Sequence, residues 1–99
     1  PQNVIYNYKW FKDQVAAIQQ LDERIKSSKQ EMKDFKELYG NAQNWGWQQQ
    51  EEYARLVSVK QGYIARYNQL AAQYNARRSD ITTGFTEGEV PQEISPYQE

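Results

Sequence analysis

The side chains able to act as acids, bases or ligands form a restricted set. Carboxylates fall close together at several places, among them Asp34 with Glu37, Glu51 with Glu52, and Glu87-Gly88-Glu89. Paired carboxylates can divide acid and base roles between them. That division needs a neighbour or a pocket that separates their proton affinities. The chain has no histidine, so the commonest general base and metal ligand is absent. It has no cysteine, which excludes a disulfide, a thiolate nucleophile and a Cys-based zinc site. Glu87 and Glu89 supply two carboxylates where calcium takes about six to eight oxygens. No glycine-rich phosphate loop, nucleophile elbow or metal-ligand spacing occurs. The acids read as solvated helix surface. The sequence points away from an enzyme, and no cofactor or metal is expected.

The remaining residues with chemistry to offer are aromatic and aliphatic. The chain has 99 residues, three of them Trp, eight Tyr and three Phe. Mean hydropathy is −1.04 and hydrophobic residues make up 38%, both low for a compact globule. Few apolar residues in regular spacing indicate an elongated helical structure with a thin core. No apolar run approaches the roughly 18 residues that cross a bilayer. The net charge of −1 hides an asymmetry. Residues 1–79 carry all twelve Lys/Arg and eight acids, for +4, while residues 80–99 carry five acids and no base. A charge of +4 over two long helices, with no clustered basic stripe, is too weak for a nucleic-acid binder.

Two elements position these residues. Asn3 is the favoured N-cap of the first. Its stripe runs Val4, Tyr8, Phe11, Val15, Ile18, Leu21, Ile25, Ser28, Met32, Phe35, Tyr39. The mean spacing of 3.5 is that of a left-handed coiled-coil seam. Asp22 with Lys26 and Lys33 with Glu37 offer i, i+4 pairs. Gly40-Asn41 is a helix-ending signal. The second element has a heptad of its own. Tyr53, Lys60, Tyr67, Tyr74 and Ile81 stand at a, and Leu56, Tyr63, Leu70 and Arg77 at d. Val57, Ile64 and Ala71 stand at e, which makes the stripe wider than a two-helix seam requires. Tyr67-Asn68 and Tyr74-Asn75 repeat seven apart, as a heptad echo. Gly62, in mid-helix, marks either a close approach by another backbone or nothing. The fold expected is an all-α, elongated, antiparallel two-helix hairpin with an extended acidic C-terminal tail. Residues 1–81 form the hairpin: helix one about 4–39, tip 40–48 and helix two about 49–80, with the tail at 82–99.

A reversal near Asn44 gives opposed residues numbers summing to about 88. Phe35 then meets Tyr53, Met32 meets Leu56, Ile25 meets Tyr63, Leu21 meets Tyr67, Ile18 meets Leu70, and Val15 or Gln14 meets Tyr74. The polar break at Ser28 falls opposite the break at Lys60. Phe11 meets Arg77, where a cation can sit on a ring. Two helices leave part of each stripe wet, so the face at Val57 and Ile64 predicts a third element: the tail, a second copy or a partner. Ile81, Phe85, Val90 and Ile94 are candidates to tether the tail along the hairpin.

Apolar surface beyond what one seam covers marks the candidate partner-binding residues. They are Val4, Tyr6, Trp10 and Phe11 near the N-terminus, Trp45 and Trp47 at the tip, and Val57 and Ile64 on helix two. The tip tryptophans either fold back to cap the last core layer or face a partner or lipid. The N-terminal cluster either docks a partner or packs against the tail.

The run Asn3-Val4-Ile5-Tyr6-Asn7-Tyr8-Lys9-Trp10-Phe11, with Tyr67-Asn68 and Tyr74-Asn75-Ala76-Arg77, resembles small accessory proteins of tailed bacteriophages and prophages. Some of those are secreted lipoproteins with a helical hairpin as the mature part. The resemblance implies a bacterial envelope, periplasmic or phage-particle setting, and it carries over no functional residue. The function expected is protein–protein contact or self-association through the wide face of helix two. The alternative is a membrane-surface protein, held by a segment preceding Pro1, whose tryptophan-bearing tip touches lipid.

Overall fold

A computed structural model describes the backbone of residues 2–81 and 92–98, and the side chains of residues 8–80 and 92–98. Expectations about the side chains of Val4, Ile5, Tyr6, Ile81, Phe85 and Val90, and about Glu87-Gly88-Glu89, lie outside the described residues. Helix α1 spans Gln2–Tyr39 and helix α2 spans Trp47–Ile81, joined by a 3-10 turn at Ala42–Asn44. No strand occurs among the described residues. The chain is an all-α helical hairpin with principal extents of 62 × 19 × 17 Å.

Both helices begin two residues earlier than the periodicity suggests. Asn3 lies inside α1 rather than capping it. At α2 the cap works differently from a Ser or Asp cap. Gly46 precedes the first helical residue and has no side chain to offer. Instead Gln49 reaches back, its Oε1 accepting from the Gly46 N–H at 3.1 Å. This is the returning half of a capping box. The end of α1 follows the sequence signal. Gly40 has φ of 75°, a left-handed conformation open to glycine without steric penalty. Its N–H donates to the Lys36 carbonyl at 2.8 Å. Asn41 Oδ1 then accepts from the Gln43 N–H at 3.1 Å and starts the turn.

The antiparallel register is fixed by ring contacts along the seam. Phe35 and Tyr53 have centroids 5.7 Å apart. Arg24 stands over the Tyr63 ring at 5.8 Å. Phe11, Ile18, Leu70 and Tyr74 form one buried cluster toward the open end. Opposed numbers sum to 88 at Phe35–Tyr53, 87 at Arg24–Tyr63 and 85 at Phe11–Tyr74, so the reversal centres near Asn44 and the register drifts by three toward the open end. Ile25 is fully enclosed. Ser28 is buried and Lys60 half-buried, and the register sets them at the same level of the seam.

Three contacts differ from expectation. Tyr74 meets the Phe11 ring rather than only Val15 or Gln14, because the register drifts toward the open end. Phe11 does not take the Arg77 cation. Its ring is 3% exposed and meets Tyr74 edge-on, at 5.1 Å and 84°, which leaves no open face. Arg77 lies over Trp10 instead, at 4.7 Å, on the half-buried rim where a guanidinium keeps part of its hydration. Asp22 and Lys26 pair at 3.0 Å as expected. Lys33 and Glu37 are not among the ion pairs of the described residues. Exposed pairs of this kind are worth only a few tenths of a kcal/mol, so nothing compels one to form.

Gly62 marks no close approach, since a Cβ there would meet nothing within 4 Å. Gly62→Ala is therefore expected to raise stability by about 1 kcal/mol, the helix-propensity difference, measurable by urea denaturation. Ile25→Ala is expected to lower it by about 2–5 kcal/mol, as for other large-to-small changes at enclosed sites. The same titration checks both.

Candidate interaction surfaces

The heptad places Asn68 and Asn75 two turns apart on one edge of α2. Both side-chain amides face the tail. Asn75 Nδ2 donates to the Ile94 carbonyl at 2.6 Å, and the Ile94 N–H donates to Asn75 Oδ1 at 2.9 Å. The Tyr97 N–H donates to Asn68 Oδ1 at 2.8 Å. One amide thus satisfies both backbone groups of one residue, and its heptad partner takes the N–H three residues on. The spacing matches. Seven helical residues rise about 10.5 Å, and three residues of extended or polyproline-type chain span about 9–10 Å. Pro96 favours that extended form for itself and for Ser95. A three-residue period also returns Ile94 and Tyr97 to the same side. Each such bond contributes about 1 kcal/mol net.

The tail thereby runs from Asn75 toward Asn68, antiparallel to α2 and toward the tip. It crosses the edge holding Ala71, which is 2% exposed. The tail is a third element over the Asn68–Asn75 part of the wide stripe of α2. Ile94 packs on the buried cluster beside Trp10, Val15, Leu21 and Tyr67. The Tyr97 ring meets Tyr67 edge-on at 5.6 Å, and Lys29 Nζ covers its other side at 4.7 Å. Nearer the tip a shallow groove is lined by Lys29, Met32, Lys33, Lys36 and Tyr53. Spacings of four and three bring those lysines to one side of α1. The basic stripe not apparent along the sequence arises from that projection.

The tip separates its two tryptophans. Trp45 packs inward, edge-on to Phe35 at 5.1 Å and against Tyr53 at 5.0 Å. Its indole N–H donates to the Gly40 carbonyl at 3.1 Å. It therefore both caps the last core layer and holds the turn. Trp47 is 69% exposed and Leu38 73% exposed, with Tyr39 also largely open. Leu38 lies off the stripe and was not among the sequence candidates. An exposed apolar residue outside the periodicity is the signal that marks it.

Of the sequence candidates, Val4 and Tyr6 have side chains outside the described residues. Trp10 is half-buried under Arg77, and Phe11 belongs to the core. Trp45 is structural. Val57 is half-buried on the wide face, and Ile64 is buried as part of the core rather than open to a partner. Trp47 alone of the described candidates stands fully open. Asn68 and Asn75 were visible only as an echo of the heptad. Polar residues flanking an a position in successive heptads carry no sign of the partner they bind.

The carboxylates stand on outer faces. Glu51 is exposed. Glu52 accepts from Arg55 at 2.6 Å, a bond that lowers the Glu52 pKa. Asp34 accepts from Gln30 at 2.8 Å. Among the described residues no group of three or more Asp or Glu side chains could hold a metal ion, and no helix is long and apolar enough to cross a membrane. No family model matches the chain, and neither a curated protein nor a solved structure matches it significantly.

Burial raises the pKa of Tyr67, helped by the nearby Asp22 charge and by Tyr97, and burial likewise raises that of Tyr74. A raised tyrosine pKa means the fold favours the neutral phenol. Its contribution is complete below the unfolded value near 10.0 and is lost as pH rises through the folded value. The melting temperature is expected to fall as pH is taken above about 10, followed by circular dichroism. Tyr67→Phe should lessen that fall without changing its onset from the remaining groups.

Proposed function

We propose that this protein is a non-enzymatic helical hairpin that acts by binding another protein, with the tip as its contact surface. The observation that supports this most directly is the exposure of Leu38, Tyr39 and Trp47 together at one end of a rigid rod. Exposed tryptophan is the residue type most enriched at interface centres, and Leu38 and Tyr39 add apolar surface at the same end of the rod. The inward-packed Trp45 and the turn it fixes pre-organise that end, which reduces the ordering needed on association. The resemblance to phage accessory hairpins supports a phage-particle or bacterial-envelope setting. Chemistry at the carboxylates is disfavoured by their open, solvated positions.

A second reading is that the tip touches lipid, since an exposed tryptophan also suits a membrane interface. Glu51 and Glu52 line a shallow hollow with Trp47, which opposes an anionic headgroup layer. The protein reading is therefore preferred.

A photo-crosslinking residue at position 47 in the full chain, expressed in its native host, tests both. The expected outcome is a discrete protein adduct that does not form from the exposed position Gln73. Leu38→Ser should reduce its yield about tenfold, the scale of a lost hot-spot contact. Lipid adducts in place of protein ones would favour the second reading. Equal labelling from positions 47 and 73 would remove both.

A further inference from the structure

Along α1 the residues just before the seam positions Ile18, Ile25, Met32 and Tyr39 are Ala17, Arg24, Glu31 and Leu38. They recur every seven residues, so they form one stripe beside the seam. Their order is small, basic, acidic, large, and it is self-complementary in one arrangement. The pair Arg24 and Glu31 and the pair Ala17 and Leu38 share a midpoint, between Ser27 and Ser28. A second copy laid antiparallel about a twofold axis at that midpoint sets each Arg24 against a Glu31 of the other copy, and each Leu38 over an Ala17. In such an interface every contact occurs twice. A parallel alignment in register would set Arg24 on Arg24 and Glu31 on Glu31. The charges therefore select the antiparallel orientation.

The surface around the midpoint suits a close approach. A shallow hollow opens there, lined by Arg24, Ser27, Ser28, Glu31 and Tyr63. Ser28 is buried, and Ser27 adds little bulk beside it. Arg24 stands over the Tyr63 ring at 5.8 Å, which holds its guanidinium at the edge of the hollow. Arg24 and Glu31 are both exposed, and neither is in an ion pair of the described residues. Arg55, which feels the Glu31 charge, is taken by Glu52 at 2.6 Å. Leu38 is largely exposed and serves neither the seam nor the turn. The tail lies elsewhere: Lys29, which covers the Tyr97 ring, is five residues from Arg24 and about 140° round the helix. The stretch from Ala17 to Leu38 is about 32 Å long, half of the 62 Å rod. One helix in contact over that length gives an interface at the small, reversible end of the range.

We infer that the Ala17–Arg24–Glu31–Leu38 stripe of α1 is a self-recognition surface, on which a second copy of this chain docks antiparallel with the twofold axis at Ser27 and Ser28. This face is not the wide face of α2. The inference goes beyond the reading of the tip and shares only Leu38 with it, so either can fail alone.

Sedimentation equilibrium of the full chain at low ionic strength tests it. A reversible monomer–dimer equilibrium is expected, weakened as salt is added. Arg24→Glu or Glu31→Arg alone sets like charges together on both sides of the axis and should weaken the dimer by about tenfold or more. An equimolar mixture of these two variants should associate as the unaltered chain does, because each then faces the opposite charge. The chain carrying both reversals should likewise regain the dimer. Both positions are exposed, so circular dichroism should show unchanged helix; Arg24→Gln and Glu31→Gln, each expected to weaken the dimer, replace the reversals if it does not. A chain that stays monomeric, or a dimer indifferent to the reversals and to mixing, would overturn the inference. A monomer that still forms the protein adduct from position 47 removes this inference alone, and a charge-dependent dimer without that adduct removes the reading of the tip alone.

Discussion

The structure depends on the match between two apolar stripes, each repeating every 3.5 residues, held in one antiparallel register. A two-helix seam has no deep interior. Every layer therefore has to meet its counterpart directly, and a slip of one residue would swing each stripe off the seam. Large flat rings answer this need. Tyr53, Tyr63 and Tyr67 are half-buried along the seam and Tyr74 is buried in it, so their rings fill the narrow gap. Phe11 and Tyr74 at one end, and Phe35, Trp45 and Tyr53 at the other, lock the register by edge-on and tilted contacts. Ile25 closes the middle.

The same thinness explains why the tail is part of the fold. The stripe of α2 is wider than α1 can cover, and Ala71 would stand wet at its margin. A returning extended segment covers it at little conformational expense, because Pro96 restricts the unfolded chain too. Its attachment rests on a numerical coincidence between secondary structures. One heptad of helix and three residues of extended chain have nearly the same length, so two asparagines in successive heptads meet backbone groups three residues apart. The side chains then divide the work: asparagine amides bind the main chain, while Ile94 and Tyr97 supply the apolar contact.

The two ends of the rod differ in kind. The open end is shielded by Trp10, Arg77 and Ile94. The tip is not, and the reason is local geometry. Gly40 and the 3-10 turn reverse the chain in seven residues, which brings Trp45 under the turn and leaves the start of α2 projecting beyond it. Trp47 and Leu38 are consequently on the outer surface of a segment that the turn itself makes rigid.

Fold class, the reversal near Asn44 and the register were legible in the sequence, because helical periodicity and helix-ending glycine are local signals. Two stripes with matching interruptions, Ser28 and Lys60, determine how the halves pair. The need for a third element was also legible, in the width given by Val57, Ile64 and Ala71. Its identity was not, because hydrogen bonds from Asn68 and Asn75 join residues 19 and 29 positions apart and leave no periodic trace. Nor does sequence spacing separate Trp45 from Trp47, two residues apart on either side of Gly46. Only the path of the turn decides which ring reaches the Phe35 layer. Likewise Phe11 and Trp10 are neighbours in sequence with opposite roles, since the inward ring must be the one that the 3.5-residue stripe aims at Tyr74, and the cation follows the ring left on the rim.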